Sequence, residues 1–153
     1  MDDTISKIAD KTPLGTLLSL ITSYEVLRRY LEIELKRFGA TSIRFQVMSA
    51  LFKNGGIMTP SEIGKWVFRE KNSITAVINT LEKQGVVRRE PSRHDGRSVN
   101  IVITDEGRKE ANRLNPIAQE ISRNVLSYLD KDQTDEIIDV MRTLRVNLLP
   151  RIT

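Results

Sequence analysis

TPSEIGKWVFREKNSITAVINTLEKQG, residues 59–85, is the stretch whose reading decides the fold. Thr59 is placed to cap a helix, Pro60 suits its first position, and Glu62 can reach back to the Thr59 N–H, which completes a capping box. Ile63, Trp66 and Val67 are spaced as the core side of that short helix. The stretch Phe68 to Asn72 breaks the pattern. Ile74, Val77, Ile78 and Leu81 then recur at i, i+3, i+4 and i+7, which predicts a second helix, with Gly85 as its left-handed stop. Two short helices about a tight turn predict a helix-turn-helix.

Downstream the period changes. Val86-Val87-Arg88-Arg89 reads as extended, and Val99, Ile101 and Ile103 alternate with Ser98, Asn100 and Val102 as in a half-buried strand. Asp95-Gly96 is a favoured hairpin turn pair, so a two-stranded hairpin is expected with Arg93, His94 and Arg97 at a basic tip. Thr104 then caps a helix whose first turn holds Asp105 and Glu106 against the positive helix end. Its apolar stripe is Ala111, Leu114, Ala118, Ile121, Val125 and Leu129, and Pro116 is expected to kink it. Asp130 starts a last helix carrying Ile137, Val140, Met141, Leu144 and Leu148, which Pro150 ends.

Upstream, residues 41–53 predict a helix that is apolar on most sides (Ile43, Phe45, Val47, Met48, Ala50, Leu51, Phe52) and therefore buried. Asn54-Gly55-Gly56 stops it. Thr12-Pro13 opens a helix of roughly 25 residues striped by Leu17, Leu20, Ile21, Tyr24, Leu27, Leu31, Leu35 and Phe38, about 38 Å long at 1.5 Å per residue. So long a stripe calls for another long helix, from this chain or from a partner. Residues 1–11 lack periodicity and are expected to be loosely ordered.

Composition removes several functions. The 153 residues include no cysteine and one histidine, His94. Disulfides, thiolate redox switches and multi-histidine or cysteine metal centres are thereby excluded, and no cofactor is expected. There is no Gly-rich phosphate loop and no nucleophile–base pair, so an enzyme is not expected. No apolar run approaches the ~18 residues of a membrane span, and Met1-Asp2-Asp3-Thr4 lacks the basic start of a signal peptide. A soluble cytoplasmic protein with no membrane partner is expected. The net charge is +4 with pI ≈ 9.5. Residues 111–153 carry as many acidic as basic side chains, so any polyanion-binding surface lies earlier in the chain.

A helix-turn-helix followed at once by a basic hairpin is a winged helix, and residues 41–110 resemble the MarR family of bacterial transcription regulators. The resemblance rests on four stretches in order. Phe45-Gln46-Val47-Met48-Ser49-Ala50-Leu51 is similar to the family's second helix, and Thr59-Pro60-Ser61-Glu62-Ile63 to the start of its helix-turn-helix. Ile74-Thr75 through Leu81-Glu82-Lys83-Gln84-Gly85-Val86-Val87-Arg88-Arg89 is similar to its recognition helix and first wing strand. Asp95-Gly96-Arg97, ahead of Thr104-Asp105-Glu106-Gly107, resembles its Asp-x-Arg wing and following helix start, with Ile103 replacing a leucine. The implied architecture is mainly α with a small two- to three-stranded β wing. The winged helix-turn-helix domain at 41–110 would be flanked by long dimerisation helices at 12–40 and 111–150. The resemblance implies a homodimer on a pseudo-palindromic double-stranded DNA site, most often a repressor, relieved in many members by a small aromatic or anionic effector. Two departures stand out: Ala76 and Thr80 occupy positions where the family often carries basic side chains.

If Ile74, Val77, Ile78 and Leu81 face the core, then Ser73, Thr75, Ala76, Asn79, Thr80 and Lys83 lie nearer the outside. Ser, Thr and Asn can bond base edges or phosphates, and Ala76 can pack on a thymine methyl. Arg93, His94 and Arg97 are candidates for minor-groove contact, with Asp95 orienting Arg97. Of Arg88 and Arg89, one faces DNA or the neighbouring helix and the other is an ordinary strand residue. The alternative for all of these is a solvated surface. Leu17, Ile21 and Leu144 are candidate dimer-core residues, because they lie on stripes longer than a wing domain covers. Tyr24, Tyr30 and Phe38 are candidates for a ligand pocket, against the simpler reading of dimer packing. The competing function is a winged-helix protein-interaction module that does not read DNA.

Overall fold

The computed structural model describes residues 11–69, 71–92 and 98–152. Among them are six α-helices and a three-stranded antiparallel sheet. In chain order these are α1 (Pro13–Lys36), α2 (Ser42–Lys53), β1 (Ile57–Met58), α3 (Pro60–Val67), α4 (Lys71–Lys83), β2 (Val87–Pro91), β3 (Val99–Ile103), α5 (Asp105–Leu126) and α6 (Lys131–Leu148), with a 3-10 turn at Leu149–Arg151. The chain divides into two compact units, Met1–Asn115 and Pro116–Thr153. The division falls inside α5, at the proline that the sequence marks as a helix irregularity.

Helix starts follow their capping chemistry. Thr12 accepts from the Gly15 N–H at 3.0 Å, and Thr41 accepts from the Arg44 N–H. Thr59 and Glu62 exchange both bonds of a capping box, at 3.2 and 2.7 Å. The Thr59 N–H and, after it, the Thr59 hydroxyl, which donates to the same carboxylate oxygen at 2.9 Å, hold the Glu62 carboxyl below the usual carboxylate range. Asp130 and Gln133 form the same reciprocal pair at the start of α6. Gly85, at φ +71, closes α4 by letting the Val86 N–H turn back to the Leu81 carbonyl at 3.1 Å.

The core of the first unit lies between α2, α3, α4 and the sheet. Met48, Leu51, Ile63, Ile74, Ile78, Leu81 and Ile101 are fully buried there. The strand order is β1-β3-β2, with Met58 opposite Ile101 and Val87 opposite Ile103. Three expectations are corrected. Trp66, expected in the core, is 45% exposed. The eight-residue α3 buries Ile63, Gly64 and Val67, and at ~100° per residue Trp66 falls on the flank of that face. Phe52, expected to be buried with the rest of α2, is likewise exposed. On β3, Val99 is exposed while Val102, expected outward, is buried. A two-residue strand not foreseen as such, β1, pairs with β3 at Ile101 and Val102, so β3 is the central strand with both of its edges paired at that end. Of the stripe expected on α5, Leu114 and Ile121 are buried and Ala111, Ala118 and Val125 half-buried, whereas Leu129 lies beyond the helix end at Leu126.

A polar cluster ties α2, α5 and the turn after α1. Glu110 takes Arg113 Nε at 2.8 Å and Arg44 Nη2 at 3.1 Å, while Arg113 Nη2 donates to the Phe38 carbonyl at 3.1 Å. The Arg113 hydrogen bond, and after it the charges of Arg113 and Arg44, hold the Glu110 carboxyl below its ordinary range against the opposing effect of burial.

The start of α5 is packed against the end of α4 with no room for a side chain. A Cβ on Gly107 would stand 2.0 Å from the Val86 carbonyl oxygen and 2.7 Å from Ile103 Cγ1. Gly85 has positive φ but open space around it. Gly107→Ala is therefore expected to cost about 3 kcal/mol or more through forced backbone movement, lowering the melting temperature by roughly 10 °C. Gly85→Ala carries only the left-handed backbone penalty, ~1–2 kcal/mol. Thermal denaturation followed by circular dichroism checks the order. Equal losses would mean that the α4–α5 junction relaxes freely.

Candidate nucleic-acid interface

The helix-turn-helix is α3, the turn and α4. With Ile74, Ile78 and Leu81 buried, the structure places Ser73, Thr75, Ala76, Asn79, Thr80 and Lys83 on the exposed side of α4. The face is short of positive charge, since Lys83 is its one cation among the described side chains. Thr80 Oγ1 donates to the Ala76 carbonyl one turn back, at 3.1 Å. Arg93, His94, Asp95 and Arg97 lie outside the described residues, which resume at Ser98.

The two arginines of β2 differ. Arg88 is exposed and pairs with Glu90 on its own strand at 2.7 Å. Arg89 turns to the neighbouring helix. Its Nη2 donates to Asn79 Oδ1 at 2.6 Å, its Nη1 pairs with the Glu82 carboxylate, and its backbone N–H reaches Glu82 Oε1 at 3.3 Å. Asn79 is thus exposed but not free to rotate: its amide oxygen is committed to a guanidinium.

Residues that the sequence reading did not single out surround a concavity of about 400 Å³ between α3 and α4. Ser61, Lys65 and Arg69 line it together with Ser73. Ser61 and Lys65 are four apart, hence on one face of α3. The available signal was that spacing next to an N-cap. Phe68 sits at the lip, 62% exposed and in the left-handed conformation at φ 57. Among the described residues the lining of this open hollow holds two cations, two hydroxyls and no carboxylate, which suits phosphate oxygens.

The candidate pocket residues Tyr24, Tyr30 and Phe38 are exposed on α1 and its C-terminal turn. Between α2 and α5 lies a mostly apolar crevice of about 40 Å³ lined by Phe45, Met48, Phe52, Ala111 and Leu114. Ser49, Lys53 and Asn115 are also on its wall, and none of the three aromatic residues of α1 and its turn is. A larger hollow, about 310 Å³, is lined by Thr41, Ile43 and Arg44 from α2 and its cap, by Val77 and Thr80 from α4, and by Gln84 just after it. Arg44 Nε is buried without a hydrogen-bond partner. No group of His, Asp or Glu among the described residues is arranged to hold a metal ion. No described helix is long and apolar enough to cross a membrane.

Residues 38–98 match the model of the MarR family. The transcriptional regulator SarZ of Staphylococcus haemolyticus is 28% identical over 127 residues, covering 82% of each chain. A transcriptional repressor of Mycobacterium tuberculosis, Rv2887, is 28% identical over 137 residues, covering 90% of this chain and 96% of its own. Among solved structures, the MarR-family regulator AbsC of Streptomyces coelicolor superposes with a TM-score of 0.84 at 20% identity, over 92% of this chain and 97% of its own. An organohalide-sensing transcriptional regulator in its 2,4-dichlorophenol-bound form gives 0.80 at 19% identity, over 93% and 85%.

If the α3–α4 concavity holds a phosphate, Arg69→Ala should weaken DNA binding and flatten the plot of log affinity against log salt by about 0.9 per bound copy. The order of preference among DNA sequences should not change, since a phosphate contact carries no base information. Fluorescence anisotropy across a salt series reads both. An unchanged slope would place Arg69 off the DNA backbone.

Proposed function

The chain belongs to the MarR family of winged-helix transcription regulators, and from that premise we propose that it acts as a homodimeric repressor that a small ligand releases from DNA. DNA-binding regulation, and not catalysis, is what the family and the relatives carry.

The observation that carries the dimer is the state of the two terminal helices. On α1, Leu17 and Ile21 are both 53% exposed, and Leu14, Leu18 and Leu27 are exposed beside them. On α6 no residue is buried at all, and Ile137, Val140, Met141, Leu144 and Leu148 present one apolar stripe to solvent. Monomeric proteins rarely leave contiguous apolar faces of this length uncovered, and the simplest cover in a homodimer is the same face of a second copy. Two recognition helices would then address half-sites about one helical turn apart, ~34 Å. In this reading Ser73, Thr75, Ala76, Asn79 and Lys83 contact the major groove, Arg93, His94 and Arg97 reach the flanking minor groove, and Asp95 orients Arg97.

Burying each large aliphatic side chain stabilises the dimer by roughly 1.5–3 kcal/mol. A charged substitution in both helices, Ile21→Asp with Leu144→Asp, should therefore give a monomer by light scattering and abolish operator binding. A dimer that persists in this double variant would exclude both helices from the interface.

Ligand release has two supports. One solved neighbour was captured with 2,4-dichlorophenol, and another, BpsR of Bordetella bronchiseptica, has its DNA binding regulated by 6-hydroxynicotinic acid. In this chain Tyr24, Tyr30 and Phe38 offer aromatic surface on α1. The crevice between α2 and α5 is apolar but admits little more than a water molecule, so an aromatic ring would have to open it. A ligand can act on DNA binding only by favouring one arrangement of the dimer over another. A panel of chlorinated phenols and hydroxylated aromatic acids should contain a compound that raises the melting temperature by mass action and releases labelled DNA. If none does either, the protein is a constitutive regulator.

A further inference from the structure

The geometry points to Phe68 as an apolar contact to the DNA backbone, its ring packing on the deoxyribose next to the phosphate held in the α3–α4 hollow. The inference rests on the DNA-binding reading and deepens it by adding to the cationic contacts one that carries no charge.

Phe68 ends α3 at φ 57 and ψ 54, in the left-handed region. The backbone needs that reversal. The Phe68 N–H reaches back to the Gly64 carbonyl, and the Arg69 N–H meets the same oxygen at 3.0 Å. These bonds stop the helix and turn the chain toward α4. Glycine or asparagine adopts the conformation readily, whereas a bulky side chain is strained in it. Among the described residues Phe68 is the only non-glycine with a positive φ. A large ring could offset the strain by packing inside the protein. This one does not: the core face of α3 is Ile63, Gly64 and Val67, and Phe68 is 62% exposed. Folding therefore accounts for the turn and not for the ring. Strained residues of this kind cluster at binding sites.

Its surroundings say what covers the ring. Lys65, three residues back, lies on the same flank of α3. Arg69 follows Phe68 in the chain, and all three line the hollow. Ser73, in the first turn of α4, lines it as well. The hollow thus opens where the recognition helix begins. A DNA strand drawn to Lys65 and Arg69 presents more than phosphate. Each phosphate is flanked by deoxyribose, whose C–H surface is the apolar part of the backbone. A free phosphate ion would leave the ring in water, whereas a seated strand sets a sugar against it. A sugar contact fixes register without reading sequence, and a neutral ring releases no counterion. Phe68 and Arg69 therefore hold the same backbone with different signatures, since only the arginine contributes to salt dependence.

Fluorescence anisotropy with the full-length protein tests this on two duplexes, the promoter of its own gene and a scrambled sequence, across a salt series. Phe68→Gly and Phe68→Asn are compared with the unaltered protein. Both replacements accept the left-handed turn, so both variants should melt at or above the temperature of the unaltered protein. Both should weaken binding to the two duplexes by the same factor, roughly 5- to 30-fold for the two copies in a dimer, with an unchanged salt slope. Asparagine is less free than glycine and separates loss of the ring from loosening of the turn. A lower melting temperature in both variants would mean that the ring packs within the protein. Full affinity in both would place it off the DNA, and a loss in Phe68→Gly alone would trace to the turn. A loss confined to the promoter duplex would mean that the ring meets a base and not a sugar. Each of these results overturns the inference and leaves the regulator reading intact. Binding of neither duplex by the unaltered protein would defeat the DNA-binding reading itself, and the inference with it.

Discussion

The aim of the recognition helix is set by one backbone junction. Gly85 ends α4 and turns the chain so that the Gly85 and Val86 carbonyls face the start of α5. Thr104 meets them with both of its donors: its N–H reaches the Val86 oxygen at 3.1 Å and its hydroxyl the Gly85 oxygen at 2.6 Å. The same hydroxyl accepts from the Gly107 N–H at 3.0 Å and so caps α5. One residue earlier, the Ile103 N–H closes on the Gly56 carbonyl at 2.8 Å, which joins the loop after α2 to the same point. Gly107 lets this contact happen, because any larger residue would hold the two backbones apart. The C-terminus of α4, the central strand, the loop after α2 and the N-terminus of α5 are thereby one rigid node. Hydrogen-bonded backbone, and not a soft side-chain interface, thus joins the first turn of α5 to the end of the recognition helix.

The outline of this arrangement was legible in the sequence wherever a local rule governs. Thr59–Glu62, Thr104 and Asp130 are caps because the orphan N–H groups of a helix start need an acceptor at a fixed offset, and all three lie where that offset puts them. The apolar stripes of α4 and α5 were equally readable, because burial follows the helical period. What escaped was set by partners distant in sequence. Ile57-Met58 has no strand signal of its own and is extended only because Val102 and Ile101 stand opposite it. That pairing makes β3 central, and Val102 on it is buried against the alternation rule. Trp66 carried an apolar signal that its place on a two-turn helix could not satisfy.

The candidate site divides the same way. The exposed face of α4 could be named from the period alone. That Arg89, and not Arg88, turns toward α4 could not, since adjacent residues on a strand point to opposite faces and only the register says which. The Ser61, Lys65 and Arg69 hollow needed the turn between α3 and α4 to bring Ser73 beside them. Domain limits show a related effect. A resemblance-based division groups 12–40 with the C-terminal helices, whereas contacts within a single chain group α1 with the winged helix and part the chain at Pro116. The two divisions answer different questions, because α1 and α6 keep apolar faces that a single chain does not cover.

Charge placement completes the picture of how such a protein would hold DNA. Ala76 and Thr80 leave the middle of α4 neutral, and Glu82 would set a negative charge near the phosphates if Arg89 did not neutralise it. The described cations instead ring the helix: Lys65 and Arg69 border the hollow before it, Lys83 closes its last turn, and Arg88 is exposed on the wing strand, moderated by Glu90. On the proposed reading, attraction to the phosphates would come from the periphery, while the helix face would keep short neutral side chains, Thr75, Ala76 and Asn79, for the bases. Peripheral cations contribute affinity for any sequence, and discrimination is left to weak, geometry-dependent contacts. In such a division the precision of one clasped amide matters more than another positive charge on the helix would, because an added lysine strengthens the right and the wrong site alike.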